Sequence, residues 1–320
     1  MISSSLPVCV FFYNRPELVE SCLGALERSI GELSVDIHIF IDGAKDKSDD
    51  LNVSRVKEKV KNFKFNNFNN IDINESLKNK GLANSIIEGI TSVIAKYEIV
   101  VVIEDDLVVS TNFLSFMKCS LEKFKNSSQV GSISGFSFPI YNCSGNDAYF
   151  HPRPTSWGWG TWADRWSKVN WAVNTEYLDD IKYNSKTFNS LGSDMNRMLE
   201  AYLNKRADSW AIRWALAHYI NNWIAVTPYL SKVRNDGFGL ENATNTKAKN
   251  NFYIHFDDTG NKGPYIYPVN ETVVKSEKFS MNLYNSNPTR FFQKYFPNLV
   301  WVNVCKLLFL FSFILIKVSK

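Results

Sequence analysis

Short apolar runs alternate with amphipathic stretches along the first 140 residues of the chain. Five of the runs are rich in β-branched and aromatic residues and predict strands at 7–13, 35–42, 69–74, 98–105 and 130–136. The stretches between them predict helices at 15–30, 51–63, 81–97 and 111–124. Because strands and helices alternate at this spacing, the fold class is predicted to be α/β, with a mainly parallel sheet flanked by helices on both faces.

Polar residues follow three of these strands at the point where each strand ends, at 14–15, 42–43 and 104–106. In open parallel sheets, ligands bind beyond the carboxyl ends of the strands. The three polar groups should therefore converge on one edge of the sheet and form a ligand site there.

The third of these groups is acidic. In the segment VVVIEDDLVV (100–109), Glu104, Asp105 and Asp106 stand between apolar residues at the end of what should be a buried strand. Carboxylates this close repel one another, and burial raises the cost further. A hard divalent cation with oxygen ligands relieves that cost and usually bridges to phosphates. An isolated acidic triplet would more simply cap a turn or the next helix, but the two other polar strand ends favour the cation.

Several classes of protein are excluded by motif and charge. The first strand is followed by YNRPEL and not by G-x-G-x-x-G, and no G-x-x-x-x-G-K-[ST] occurs, which argues against Rossmann dehydrogenases and P-loop kinases. A formal charge of only +4 argues against a nucleic-acid partner. The five cysteines are scattered without a C-x-x-C pair, so neither a disulfide framework nor a zinc site is indicated, and a reducing compartment fits best.

The ordered segments PVCVFFYNRPELVESCLGAL, IFIDGAKD, NKGLANSIIEGI and VVVIEDDLVVSTNFLSFM resemble the nucleotide-sugar-binding half of GT-A glycosyltransferases. The likeness is greatest to N-acetylglucosaminyltransferase I and bacterial enzymes of surface-polysaccharide clusters. It covers about residues 6–140 and continues through TSWGWGTWADRW, DSWAIRW and SKVRNDGFG. The resemblance implies a sheet of the Rossmann-like GT-A type. Where these enzymes usually have an Asp-x-Asp motif, this chain has Glu104-Asp105-Asp106.

The resemblance also implies roles for the three acids. Asp106 would coordinate Mn²⁺ or Mg²⁺, and the metal would bridge the oxygens of the diphosphate. Glu104 and Asp105 would accept hydrogen bonds from hydroxyl groups of the ribose and the sugar.

Further nucleotide contacts are implied at the ends of the first two strands. Asp42 would accept a hydrogen bond from the N3–H of uracil, and Arg15 would pair with a phosphate, to which a guanidinium is well matched. Alternatively, Asp42 starts a turn with Gly43, and Arg15 is a solvated residue at a helix start. Weaker candidates for contacts with the nucleotide sugar are Asn14, Asn79, Lys80 and Asn84. The NKG segment is also an ordinary loop before a helix.

The second half is rich in tryptophan within HPRPTSWGWGTWADRW (151–166). Flat rings suit the faces of sugars, and Trp157 and Trp159 are candidates for binding the acceptor or the sugar. Trp162 and Trp166 are expected in the core.

An acid in NKRADSWAIRWALAHYI (204–220) is the candidate catalytic base. Asp208 precedes an amphipathic helix, which makes it a good N-cap. In the resembled enzymes, an acid at the start of a helix in this part of the chain deprotonates the acceptor hydroxyl. Asp194, in GSDMNRML, is the second choice.

The segment SKVRNDGFGLENATN (231–245) predicts a loop, which in the resembled enzymes lies beside the donor site. Here the sequence departs from those relatives, because GLENAT stands where they have a Gly-Thr-His segment. His255 is expected in an alternating strand and not on a metal.

Apolar residues dominate from 300 to 318, but the uninterrupted part, 307–316, is shorter than the roughly 20 residues that a spanning helix needs. We expect a helix that lies in the membrane interface; the alternative is a helix docked on the core. The predicted organisation is a nucleotide-sugar-binding half at 1–140, an α+β half for acceptor binding and catalysis at 141–298, and this apolar helix at 299–320. The start of the chain lacks the basic region of a signal peptide, so a cytoplasmic protein on the inner face of the cell membrane is expected.

The sequence thus predicts a metal-dependent, inverting glycosyltransferase that moves a sugar from a nucleotide donor, UDP above all, to a hydroxyl of a glycan or lipid-linked glycan in surface-polysaccharide synthesis. Two other classes stay open: a nucleotidyltransferase of nucleotide-sugar metabolism, and a non-catalytic glycan-binding protein.

Overall fold

The structure of the protein, a computed structural model, describes residues 5–138, 140, 142, 144–237 and 256–273. Within them the strands are β1 (Leu6–Phe12), β2 (Val35–Ile41), β3 (Asn70–Glu75), β4 (Ile99–Glu104), β5 (Leu107–Val109), β6 (Val130–Ser134), β7 (Ala148–His151), β8 (Trp159–Trp162), β9 (Ile224–Pro228) and β10 (Val233–Asn235). The helices are α1 (Val19–Ser29), α2 (Lys47–Asn62), α3 (Leu82–Tyr97), α4 (Phe113–Lys123), α5 (Ala163–Trp166), α6 (Thr175–Asp180), α7 (Ser185–Phe188), α8 (Met195–Leu203) and α9 (Trp210–Ile220). Every strand and helix predicted in the first 140 residues is present, within a few residues of its predicted bounds.

Eight strands form one sheet in the order β3-β2-β1-β4-β8-β6-β9-β7. The pairs β2–β3, β1–β2, β1–β4 and β6–β9 are parallel, whereas β8 pairs antiparallel with both β4 and β6, and β7 antiparallel with β9. The predicted α/β class with a mainly parallel, helix-flanked sheet is confirmed. Strands from both sides of the predicted boundary at 140 belong to this sheet.

Helices cover both faces of the sheet, so the central strands are apolar on both sides. In β4, Val101 and Ile103 face the core formed with α1, α2 and α4, while Val100 and Val102 face the core formed with α3 and α9. Successive side chains of a strand point to opposite faces, and here both faces are buried. This explains why the sequence of β4 is a continuous apolar run.

Three helix starts differ from the expectation at residue level. Helix α1 begins at Val19 and not at residue 15, because Pro16–Leu18 form a 3₁₀ turn before it. Helix α2 begins at Lys47, earlier than predicted, because the Asp46 carboxylate accepts a hydrogen bond from the Ser48 backbone N–H and so caps the first turn. The N-cap position of α4 is Asn112 and not Thr111, and its side chain makes no capping hydrogen bond.

The predicted C-terminal helix at 299–320 lies outside the described residues, as do His255 and most of the 231–245 loop. In the part of the chain that is described, none of the helices combines the length and the apolar character needed to cross a membrane.

Candidate active site

The polar residues that follow β1, β2 and β4 lie on one edge of the sheet, as the sequence predicts. The three strands are adjacent and parallel, in the order β2-β1-β4, so their carboxyl ends point the same way. The backbone N–H of Asp42 donates to the carbonyl of Phe12, and the Arg15 side chain reaches the acids after β4. We call the residues 13–15, 42–43 and 104–106 the strand-end site.

Arg15 is held by two of the three acids. Its Nε donates to one oxygen of Asp105 at 3.2 Å and its Nη2 to the other, while Nη1 donates to Asp106 Oδ2 at 3.1 Å. The side chains of Arg15 and Asp105 are 16% and 5% exposed, so these contacts are shielded from water. The sequence predicted a phosphate as the partner of Arg15; in the structure its partners are the acids themselves.

One guanidinium does not balance three carboxylates. Burial raises the pKa of Glu104 well above its ordinary value, and the charges of Asp106 and Asp105 raise it further, against the opposing effect of Arg15. Burial also raises the pKa of Asp105, although Arg15 counteracts it. The strand-end site thus holds more carboxyl groups than its one guanidinium can keep ionised, and a cation bound there would stabilise their ionised forms.

A short second sheet covers the acidic end of β4. Strand β10 pairs antiparallel with β5, and the backbone N–H of Asp236 donates to the carbonyl of Asp106 at 2.8 Å. A Cβ on Gly237 would lie 2.7 Å from the Cβ of Asp106 and 3.0 Å from Nη1 of Arg15, so only glycine fits there. The sequence predicted a loop beside the donor site in this region; it did not predict that part of it, Val233–Asn235, is a strand.

Asp42, the predicted contact for the N3–H of uracil, organises a loop. Its carboxylate accepts hydrogen bonds from the backbone N–H groups of Gly43, Lys80 and Gly81 and from the side-chain amide of Asn79, at 2.9–3.2 Å. A carboxylate has about four acceptor positions, and these four donors use them. A base N3–H would have to displace an internal hydrogen bond, because Asp42 is buried and already satisfied.

The other residues that the sequence predicts to contact the nucleotide sugar make hydrogen bonds within the protein. Lys80 Nζ donates to Glu88 at 2.7 Å, and the Asn84 amide donates to the carbonyl of Lys80. The Asn14 amide donates to Asp49 at 2.6 Å, and the Tyr13 hydroxyl donates to the other oxygen of Asp49 at 2.5 Å. Sequence reasoning missed Asp49, because nothing in the pattern separates it from its neighbours in the first turn of α2.

The two candidate tryptophans have different environments. Trp159 is fully buried, and its ring packs at 5.2–5.3 Å from those of Trp210 and Trp214. Because β8 is a central strand, no face of this indole is accessible, and the prediction that Trp159 contacts a sugar gains no support from its position. Trp157 is half-buried, stacks edge-on against Phe136 at 4.5 Å and borders a cavity. Trp162 and Trp166 are in the core as expected.

The two candidate bases also differ. The Asp208 side chain is 59% exposed and accepts a hydrogen bond from Arg213 Nη2 at 2.8 Å. Asp208 is not the N-cap of α9, because that position belongs to Ser209, whose hydroxyl accepts from the Ile212 N–H. Asp194 is fully buried and bound by both Nη atoms of Arg153, at 2.6 and 3.0 Å. Only Asp208 presents a carboxylate that a substrate can reach.

No protein-family profile matches the chain. No curated protein matches it either. Among solved structures, the chain is similar to the mannosyltransferase PcManGT from Pyrobaculum calidifontis, in complex with GDP-Man and Mn²⁺, at 14% identity and a TM-score of 0.35, over 50% of this chain and 44% of that one. It is also similar to S. aureus TarS 1-349, at 11% identity and a TM-score of 0.40, over 71% of this chain and 58% of that one. For TarS 1-349 in complex with UDP, the identity is 12%, the TM-score 0.36 and the coverage again 71% and 58%. The chain thus spans less than two thirds of each of these proteins.

Proposed function

We propose that the protein is a metal-dependent glycosyltransferase that moves a sugar from a nucleotide donor, with UDP as the preferred nucleotide, to a hydroxyl of a glycan. The observation that carries the proposal is the strand-end site itself. Three carboxylates and one guanidinium meet beyond the carboxyl ends of adjacent parallel strands, which is where α/β sheets bind nucleotides. Crowded carboxyl groups in such a place suit a cation that arrives with a diphosphate.

The donor set fits a metal that the substrate helps to hold. Across the described residues, no group of three or more His, Cys, Asp or Glu side chains is arranged to hold a metal ion alone. Mg²⁺ is usually bound by one or two carboxylates together with substrate phosphates, so a complete protein cage is not needed. We assign Asp106 as the ligand of Mn²⁺ or Mg²⁺, because its side chain is partly exposed and only one of its oxygens is used by Arg15.

The reaction we propose is a single displacement. The acceptor oxygen attacks the anomeric carbon, the bond from that carbon to the diphosphate oxygen breaks, and the nucleoside diphosphate leaves. A bound divalent cation supplies charge stabilisation to the leaving diphosphate. Arg15, which lies beside the cation position, adds a second positive charge there.

Asp208 is the proposed base. Its exposed carboxylate would take the proton of the acceptor hydroxyl during attack. One base and one stabilised leaving group suffice for inversion, and no second carboxylate in the site is assigned as a nucleophile. Glu104 and Asp105 are proposed to contact hydroxyl groups of the donor, with Asp105 also holding Arg15 in place.

The acceptor we propose is a glycan or lipid-linked glycan of surface-polysaccharide synthesis, met at the inner face of the cell membrane. The apolar segment 299–320 supports membrane association. Cell fractionation tests it: deletion of 299–320 should move the protein into the soluble fraction, and retention on membranes would contradict the assignment.

Calorimetry with UDP, with and without Mn²⁺, tests the function. The proposal requires UDP binding that strengthens with Mn²⁺, followed by donor hydrolysis in a screen of nucleotide sugars. If no nucleotide binds, the alternative of a non-catalytic glycan-binding protein is favoured. Release of pyrophosphate from a nucleoside triphosphate and a sugar phosphate would identify a nucleotidyltransferase, which normally carries a Gly- and Lys/Arg-rich loop after its first strand that is missing here.

A further inference from the structure

A cavity of about 200 Å³ lies between the β6–β8 region and helices α8 and α9. Most of its lining is aromatic or aliphatic, including Phe136, Trp157 and Ile212, and none of its lining residues belongs to the strand-end site. Its volume is that of roughly six or seven water molecules at about 30 Å³ each. This is room for one monosaccharide residue and not for a nucleotide.

Two hydrogen-bond donors in the lining have no partner within the described part of the chain. They are the hydroxyl of Thr155 and the indole N–H of Trp214, and both atoms are buried. Trp214 is 1% exposed, and its N–H can only donate. Native proteins rarely leave buried polar groups unpaired, so acceptor oxygens of a ligand are the natural partners of these two groups.

The charges beside the cavity cancel. Arg153 lines it, but both of its Nη atoms are bound by Asp194, whose side chain is fully buried. A ligand carboxylate would therefore meet no uncompensated positive charge and would lose its hydration without replacement. An uncharged ligand fits the cavity better than an anionic one.

We propose that this cavity binds one uncharged sugar residue of the acceptor glycan. The apolar face of the sugar packs on Trp157, and its oxygens accept hydrogen bonds from Thr155 and Trp214. This inference rests on the proposed glycosyltransferase function and specifies its acceptor. Its position agrees with the proposed base, because Asp208 precedes the cavity-lining residues Ala211 and Ile212 by about one helical turn.

Saturation-transfer NMR with the full chain, UDP and Mn²⁺ tests the inference. The probes are methyl glycosides of neutral hexoses and the corresponding methyl hexuronides. We expect the neutral glycosides to bind and the hexuronides to bind more weakly. Tighter binding of the hexuronides, or no binding of any neutral glycoside, would overturn the proposal.

Two variants and one control test whether the neutral glycoside binds in this cavity. Thr155→Val removes only a hydroxyl without an internal partner, and should weaken binding of the neutral glycoside by about 2- to 12-fold, the range for one neutral hydrogen bond. Thr227→Val is the matched control, because the Thr227 hydroxyl is also buried and unpartnered but does not line the cavity. Ala211→Leu keeps helix propensity, fills the cavity and should abolish binding.

Nucleotide binding separates this inference from the function it rests on. If UDP with Mn²⁺ binds but Ala211→Leu leaves glycoside binding unchanged, the cavity assignment is wrong and the glycosyltransferase proposal stands. If Thr155→Val weakens binding of the nucleotide sugar and not of the free glycoside, the cavity holds the donor sugar, and the acceptor assignment is wrong. If UDP does not bind at all, the proposed function itself fails.

Discussion

Replacement of Asp106 by Asn should separate metal binding from stability. The change keeps the shape of the side chain and replaces one of three crowded carboxyl groups by a neutral amide. The carboxylate of Asp106 is among the causes that raise the pKa values of Glu104 and Asp105, so its removal relieves repulsion in the folded state. Each pKa unit of relief at a neighbour is worth about 1.4 kcal/mol.

The opposing effect is the weakened contact with Arg15. An amide oxygen can still accept from Nη1 of Arg15, which lies 3.1 Å from Asp106 Oδ2, but a neutral acceptor contributes roughly 1 kcal/mol less than a charged one. The two effects nearly cancel, so the free energy of unfolding without metal should change by about 1 kcal/mol or less. At about 2 °C per kcal/mol for a domain of this size, Tm should move by about 2 °C at most.

The metal response should be lost. A ligand at a hundredfold its Kd stabilises the folded state by about 2.7 kcal/mol, so Mn²⁺ added in the presence of UDP should raise the wild-type Tm by about 5 °C. Thermal denaturation of Asp106→Asn should show no such rise. Glu122→Gln is the charge-matched control, because Glu122 is 52% exposed and 3.9 Å from Lys118 on the surface of α4.

Two results would contradict the role assigned to Asp106. If Asp106→Asn keeps the full Mn²⁺-dependent rise in Tm, Asp106 is not the metal ligand. If its Tm without metal falls by more than about 6 °C, the hydrogen bond to Arg15 outweighs the repulsion between the acids.

Three further predictions concern the base, the covering glycine and the response to acid. Asp208→Asn should lower kcat by about 10²- to 10⁴-fold with unchanged UDP binding, because an amide cannot take the acceptor's proton; steady-state kinetics at the wild-type rate would exclude Asp208 as the base. Gly237→Ala should weaken binding of UDP with Mn²⁺ in calorimetry, since its Cβ would meet Asp106. Gly24→Ala in α1 is the control and should leave the affinity unchanged. Equal affinities for the two variants would show that the backbone around residue 237 shifts to accommodate the methyl group. Burial lowers the pKa of His218 from its ordinary value of 6.5 to about 3, so the unfolded chain binds this proton more readily and the stability from this residue is lost as pH falls from about 6.5 towards 3. His218→Gln should therefore lose less free energy of unfolding on acidification than the wild type, by up to about 1.4 kcal/mol per pH unit, as measured in urea titrations. If the free energy of unfolding of the variant falls with pH as steeply as that of the wild type, His218 is not the source of the loss.

Local sequence was sufficient for the first half of the fold. The periodicity of apolar residues predicted five of the six strands and all four α-helices of the first 140 residues. The three-residue strand β5 was not predicted, because it is defined by its pairing with the distant β10. The convergence of residues 14–15, 42–43 and 104–106 also followed, since the carboxyl ends of adjacent parallel strands meet at one edge of a sheet. The antiparallel insertion of β8 between β4 and β6 did not follow, because nothing in its four residues specifies the strands beside it.

The amino-acid sequence was enough to predict which kinds of side chain gather at the strand ends. Which of those side chains stay available to a ligand depends on contacts between distant segments. Arg15 and Asp105 are 90 residues apart, and Asp42 receives hydrogen bonds from residues up to 39 positions away. The glycine-rich segment around Trp159 favours an accessible aromatic ring, yet Trp210 and Trp214 of α9 pack against this ring and bury it. Pattern and propensity act over a few residues, whereas hydrogen-bond saturation and burial depend on contacts between distant segments. For that reason the meeting of these polar residues at the strand ends could be predicted from the chain, but the internal hydrogen bonds of Asp42 and the burial of Trp159 could not.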